Sequence, residues 1–338
     1  MNQSKKIIII GNEKVSENKN GFYCDNVDMK TIPEELNKNF DIAFIARKSK
    51  VERSHIIDLN KIIAASNIFS FLYTIFKTFK HKETKYFLVS ITPYTFFTYL
   101  ILFFFRKKTF VYLRSNGYEE YKEIFGFIGP LIYHLMYILV TYKSKIISCQ
   151  ERLVKKKKSY LVFPSELNND WLNNRTKPLL DKPRLLYVGR LKIEKGIFSL
   201  LKICDEVSSE VELSIVGRIE DKRVETKKVK LLGYGFNAET LCKIYDNHNI
   251  SILPSFTEAH PKVVDESLAR LRPVIIFEEI NHIIQNRKGI FVSKRNTKSF
   301  LETIKFIMND YIKIQKSIAT NKLPTKIEFV SEIKNILK

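Results

Sequence analysis

The chain has 338 residues and a formal charge of +21, with hydrophobic residues at 45% and charged residues at 28%. Its length is about twice that of a typical domain, so two domains of similar size are expected, and the apolar share excludes a largely disordered chain. Four widely spaced cysteines, Cys24, Cys149, Cys204 and Cys242, form no CxxC pair, which argues against a zinc site or a disulfide framework and for a reducing compartment.

The first segment, KIIIIG, is apolar and β-branched but too short for a secretory leader, so it reads as a buried parallel strand. Further strands are expected at DIAFIA, YFLVSI, TFVYLR and KIISC, with helices or loops between them. Gly11 and the Asn20-Gly21-Phe22 turn follow the first strand, and Arg114 to Gly117 follow a later one. Each reads as loop structure or as the side of a ligand crevice.

Two aromatic stretches invite a membrane test, TPYTFFTYLILFFF and IFGFIGPLIYHLMYILVTY. The first falls short of the roughly 20 residues a bilayer requires. The second is interrupted by Gly126, Gly129 and Pro130, so a helix over about 130–142 is expected rather than a span. Lysines and arginines cluster beside these stretches, at Lys77, Lys80, Lys82 and Lys85, at Arg106, Lys107 and Lys108, and at Lys155 to Lys158. Basic clusters beside aromatic helices suit an anionic membrane face, and equally a solvated surface or a polyanion. The excess is not a tail, since Lys and Arg outnumber Asp and Glu 27 to 16 up to Asp170 and 30 to 20 beyond it.

After FPSELNNDWLNNRTKPLLDKPR, rich in Asn, Asp and Pro, the alternation resumes at RLLYVG, VELSIVG, KVKLLG, ISILPS, PVIIF and GIFVS. Strands alternating with helices imply a parallel, doubly wound sheet in each half. In such sheets ligands bind beyond the carboxyl ends of the strands. RLLYVG is followed there by Gly189, Arg190 and the run to Lys195 and Gly196, where two cations are placed to hold a diphosphate. ISILPS is followed by SFTEAHPKVVDESLARL. Pro261 is expected to open a helix buried through Val264, Leu268 and Leu271. Glu258 then precedes the helix and Glu266 lies about 7 to 8 Å along it, with backbone N–H groups between them as an anion site. Alternatively Glu258 merely complements the helix dipole.

GRLKIEKG followed by PSFTEAHPKVVDESLARLRPVI resembles the donor half of the GT-B-fold retaining glycosyltransferases, in particular glycosyltransferase family 4, or group 1. The likeness runs from about Arg184 to Asn309, with weaker echoes in IISCQERL and LVFPSELNNDW. It implies an α/β protein of GT-B architecture, two Rossmann-like doubly wound parallel-sheet domains facing across a cleft. Residues 1–170 would bind the acceptor and 171–323 the nucleotide sugar, with a C-terminal helix, 324–338, packing back on the first domain.

By the same resemblance Arg190 and Lys195 hold the donor diphosphate after Gly189, Glu266 binds ribose, and Glu258 lies against the sugar. Backbone groups of His260, Pro261, Lys262 and Val263 complete the donor site. Glu258, Arg190 and Lys195 are the expected catalytic set, and Gly21, Arg114 and Asn116 the possible acceptor side. The chain departs from the family at Ala259, His260 and Leu271, where glycine, an apolar or aromatic residue and glycine are usual, and FEEINHIIQNRKG replaces a glycine-rich loop. His260 and His282 are open to two readings, structural or approaching the donor.

The implied reaction is metal-independent glycosyl transfer with retention, from a nucleotide diphosphate sugar to a hydroxyl of a lipopolysaccharide, capsule or glycolipid acceptor. The nucleotide sugar is the co-substrate and no resident cofactor is expected. The implied location is cytoplasmic, at the inner face of the membrane. The alternatives are an enzyme acting on nucleic acid or a basic nucleic-acid-binding protein, and a scaffold that has lost activity.

Overall fold

The computed structural model describes residues 5–80, 83–155, 157–218 and 229–338. Lys82, Lys156 and Lys228, the first residue of KVKLLG, lie outside the described residues. The chain separates into two compact units, Met1–Pro164 with Ile327–Lys338, and Ser165–Lys326.

The first unit contains β1 (Lys6–Asn18), β2 (Gly21–Cys24), α1 (Val27–Asn37), β3 (Asp41–Lys48), β4 (His55–Ile57), β5 (Ile62–Ala65) and α2 (Ile68–Lys77). It continues through β6 (Lys85–Val89), α3 (Pro93–Phe104), β7 (Lys108–Leu113), α4 (Gly117–Phe125), α5 (Gly129–Lys143), β8 (Lys145–Ser148) and β9 (Ser159–Leu161). The parallel strands lie in the order β5-β3-β1-β6-β7-β8-β9, and Ile7 to Ile10 are fully buried at the centre. Parallel pairing leaves both faces covered by helices, which is why central strands read as unbroken apolar runs.

One expectation is corrected here, that the first strand ends at Gly11. Gly11 lies inside β1, whose pairing shifts between Ile10 and Lys14, and the strand runs on to Asn18. Gly21, at φ +130°, then turns the chain into an antiparallel hairpin with β2, extended by β4. The stretch 117–143 is long and apolar enough to cross a membrane by length and composition, but Gly126, at φ +63°, folds it into a helical hairpin. A Cβ on Gly117 would meet the Tyr133 ring at 2.0 Å, and one on Gly129 would meet the Tyr121 carbonyl at 1.9 Å. Glycine at both points lets α4 and α5 approach this closely.

The second unit contains α6 (Asn169–Leu172), β10 (Arg184–Val188), α7 (Ile197–Glu206), β11 (Glu212–Val216), β12 (Lys230–Gly233), α8 (Ala238–Asp246) and β13 (Ile250–Leu253). It continues through α9 (Lys262–Ala269), β14 (Val274–Phe277), β15 (Ile290–Ser293), α10 (Thr297–Asn309) and α11 (Tyr311–Ile318). All six strands are parallel, in the order β12-β11-β10-β13-β14-β15. Leu185 and Tyr187 point to one face of the sheet, with Val264 and Ile276 in their cluster, while Leu186 points to the other, with Trp171 and Tyr245.

Residues 165–170, expected in the first half, pack in this second unit. Leu167 and Trp171 are buried beside Tyr245, and two buried arginines hold the segment that follows. Arg270 donates to the carbonyls of Asp170, Trp171, Asn173 and Asn174, and Arg272 to that of Thr176. Asp246 supplies the counter-charge, pairing with both guanidinium groups. Buried carbonyls without partners are costly, so two forked donors suit a stretch with little secondary structure of its own.

The last helix, α12 (Lys326–Leu337), belongs to the first unit from Ile327 onward and buries Phe329, Ile333 and Leu337. Phe329 meets Tyr112 with ring centroids 6.4 Å apart, and Lys85 donates to the carbonyls of Leu337 and Lys338 at 2.6 Å. A buried cation at the negative end of the helix dipole favours that seat.

Candidate active site

In the second unit the strand order reverses direction at β10 and β13, which lie side by side. The segments that leave their carboxyl ends diverge and open a crevice. The two charged motifs found in the sequence are those segments.

The β10 segment is held against its neighbours by backbone contacts. Gly189 donates to Val216 at 2.9 Å, and a Cβ on Gly217 would meet the Gly189 carbonyl at 2.0 Å. Tyr187 donates its hydroxyl to the Arg190 carbonyl at 2.7 Å, fixing the turn that leaves the Arg190 side chain exposed. Arg190 has no ion-pair partner among the described residues. A short 3-10 turn over Ile193–Lys195 then leads to Gly196, at φ +69°.

The β13 segment meets it directly. Lys195 Nζ lies 2.6 Å from Glu258 Oε1, and the same oxygen accepts the Ser255 hydroxyl at 2.7 Å. Phe256 donates its backbone N–H to Glu194 at 3.1 Å. Glu258 is thereby fixed by two donors, with its side chain 12% exposed.

The helix α9 begins one residue later than expected. Pro261 is its N-cap, with extended backbone, and no side-chain cap closes the helix start. Glu266 sits just beyond the first turn, half-buried, and accepts the Tyr245 hydroxyl at 3.0 Å. Burial pushes its carboxyl above the usual value, against the pull of Lys262 one turn back. Lys262 also faces Glu166 at 3.9 Å, and Val263 takes part through its carbonyl, 3.4 Å from the Tyr245 hydroxyl.

Both histidines prove to be braces. His260 buries its ring and places Nε2 2.8 Å from Asp265 Oδ2, while Arg287 pairs with Oδ1 of the same carboxylate at 2.5 Å. Burial alone would raise the Asp265 pKa, but the His260 hydrogen bond and the Arg287 charge outweigh it and hold it low. His282 Nε2 lies 2.9 Å from the Glu258 carbonyl, supporting the backbone rather than pointing past it.

Leu271 lies beyond the end of α9 rather than in its stripe, at φ +58°. That left-handed conformation is the one glycine adopts without strain, so the position where the family usually has glycine keeps glycine-like geometry under a leucine.

Residues that the sequence reading missed complete the support. Arg295 donates to the Pro254 carbonyl at 2.9 Å and to Ser199 at 2.7 Å, pairs with Glu279 at 2.8 Å, and lies between the rings of Phe256 and Phe277. Asp265, Arg287 and Arg295 come from three separate helices or loops, and nothing in local spacing marks them as neighbours.

The expected acceptor-side residues lie in the first unit. Gly21 forms the β1–β2 turn, Asn116 caps α4 by accepting from Tyr118 N, and Arg114 pairs with Asp28 at 3.1 Å. Each has a structural role there. Among the described residues, no three or more His, Cys, Asp or Glu side chains are grouped to hold a metal ion.

Residues 182–310 match the family model described as Glycosyl transferases group 1. The chain is 27% identical over 148 residues to an uncharacterized glycosyltransferase of Methanocaldococcus jannaschii, covering 39% of this chain and 37% of that protein. It is 26% identical over 127 residues to a putative teichuronic acid biosynthesis glycosyltransferase of Bacillus subtilis, covering 37% and 33%. The matched region thus spans about a third of the length of either relative. Among solved structures, a sucrose-phosphate synthase from Thermosynechococcus elongatus superposes with a TM-score of 0.69 at 15% identity, over 98% of both chains. The chain therefore has the GT-B fold, and residues 182–310 are similar to the group 1 glycosyltransferases.

Proposed function

We propose that the protein is a retaining glycosyltransferase that moves a sugar from a nucleotide diphosphate sugar to a hydroxyl of a polysaccharide or lipid-linked acceptor. The observation that carries this reading is the meeting of Lys195 and Glu258 at the switch point, beside an exposed Arg190 and an uncapped helix start. Breaking a glycosyl–phosphate bond leaves two charges to stabilise, a departing diphosphate and a cation-like anomeric carbon. Preorganised groups of opposite sign serve that need without reorganising during the reaction.

In this reading Arg190 and Lys195 bind the diphosphate, together with backbone N–H groups at the start of α9. Glu258, held by Ser255, faces the sugar, and Glu266 binds the ribose hydroxyls. No metal is assigned a step, because these cations supply the charge a diphosphate requires. Similarity to a protein of teichuronic acid synthesis supports a cell-surface glycan as acceptor class.

The test is thermal unfolding of the full chain against UDP, GDP, ADP, CMP, dTDP and their common sugars. One nucleotide is expected to raise the melting temperature selectively, since a ligand at 100 times its Kd adds about 2.7 kcal/mol. Lys195→Ala should remove that shift. A panel with no shift would count against the reading.

A further inference from the structure

We propose that α2, α3 and α5 form a face by which the protein docks on an anionic lipid bilayer, lying in the plane of the headgroups. Helix α5 is apolar on all sides, which is expected of a buried or lipid-facing helix. One stripe, Tyr133, Met136, Tyr137 and Val140, is buried in the first unit. The opposite stripe, Ile128, Leu131, Leu135, Ile138, Leu139 and Tyr142, keeps the same helical spacing and is exposed.

The neighbouring helices extend this face. Phe69, Tyr73 and Phe76 are exposed along α2, and Phe97, Leu100 and Phe104 along α3, with Phe104 80% exposed. Contacts between the rings of Phe76 and Phe105, at 5.8 Å, and of Phe103 and Tyr142, at 6.4 Å, show that the three helices lie side by side. Together they expose an apolar area on the order of 1,000 Å², against the few hundred that a monomer usually shows. In the second unit α10 instead turns Lys298, Glu302 and Lys305 to solvent.

Charge identifies the occupant. The sequences of α2, α3 and α5 contain no Asp or Glu, and their basic residues stand at the carboxyl ends: Lys77, the Arg106–Lys108 run just after α3, and Lys143. Each of these helices connects two parallel strands, so all three run the same way and their carboxyl ends gather along one edge. That edge combines exposed aromatic rings with cations, and Lys77 stacks over Tyr73 at 4.5 Å and Lys143 over Phe103 at 5.6 Å. Amphipathic rings and a basic rim around an apolar face match headgroups above acyl chains.

The full chain should co-sediment with vesicles of phosphatidylglycerol and phosphatidylcholine at low salt, and dissociate as salt rises. Leu131→Gln with Leu135→Gln, both exposed, should weaken partitioning about tenfold or more at an unchanged melting temperature. Lys107→Ala with Lys143→Ala should weaken it about thirtyfold on the anionic vesicles. A chain that stays in the supernatant with every vesicle overturns the proposal. So does a dimer in light scattering that Leu135→Gln makes monomeric while vesicle binding is absent, which would assign the face to a second copy. Equal binding to phosphatidylcholine alone would overturn the assignment to anionic lipid. Nucleotide-induced thermal shifts are measured without vesicles, so either result leaves the donor-site reading to its own test.

Discussion

Gly196→Ala is the substitution for which the geometry gives the clearest magnitude. Gly196 has φ +69°, and a Cβ there would lie 1.9 Å from the Pro254 carbonyl oxygen and 3.1 Å from Arg295 Nη1. The left-handed backbone alone disfavours alanine by about 1 to 2 kcal/mol. The clash adds about 1 to 3 kcal/mol, the usual range for overpacking, because the carbonyl has little room to move. It is held by Arg295, which is itself anchored by Glu279, Ser199 and the rings of Phe256 and Phe277. The expected loss is therefore about 2 to 5 kcal/mol in urea unfolding of the second unit. Because Lys195 precedes Gly196 and meets Glu258 across the same contact, nucleotide binding should fall even where the variant remains folded. A loss below about 1 kcal/mol with unchanged nucleotide affinity would refute this account of how the two loops are fastened together.

Three other outcomes follow from the same contacts. Glu266→Gln removes a carboxylate whose pKa is raised by burial; such a group favours the folded state only below its unfolded pKa and disfavours it as pH rises through the folded one. The variant should therefore melt higher than the wild type at neutral pH, with the gap closing in acid, while nucleotide affinity falls about tenfold or more. Asp246→Ala leaves Arg270 and Arg272 buried without their shared counter-ion and should cost about 3 to 5 kcal/mol by denaturant titration. Burial pushes the thiols of Cys242 to about 11 and of Cys149 and Cys204 to about 12, and raises that of Cys24 as well. Native protein at pH 8 should therefore react with a thiol reagent only over the timescale of unfolding, and all four cysteines should react in denaturant.

Local sequence decided a great deal, and the reason is periodicity. Runs such as KIIII, RLLYVG and PVIIF are apolar throughout because parallel strands are covered on both faces, so every expected strand is present. The charged residues after them were legible as site candidates because a doubly wound sheet presents its ligand crevice beyond its strand ends. Boundaries governed by long-range contacts were not legible. Leu167, expected in the first domain, belongs to the second unit because Trp171 and Tyr245, the latter some eighty residues away, receive it. Gly11 looked like a strand end, yet pairing with both β3 and β6 carries the strand through it. The sequence left His260 and His282 open as structural residues or donor contacts, and folding places Asp265 beside His260 and the Glu258 carbonyl beside His282. The sequence by itself thus determined the buried central strands, their alternation with helices and the residue types after them, since these follow from hydrophobic period and short-range spacing. Only the tertiary structure decided which charges pair, which rings face solvent and where each unit ends, because those depend on contacts between segments far apart in the chain.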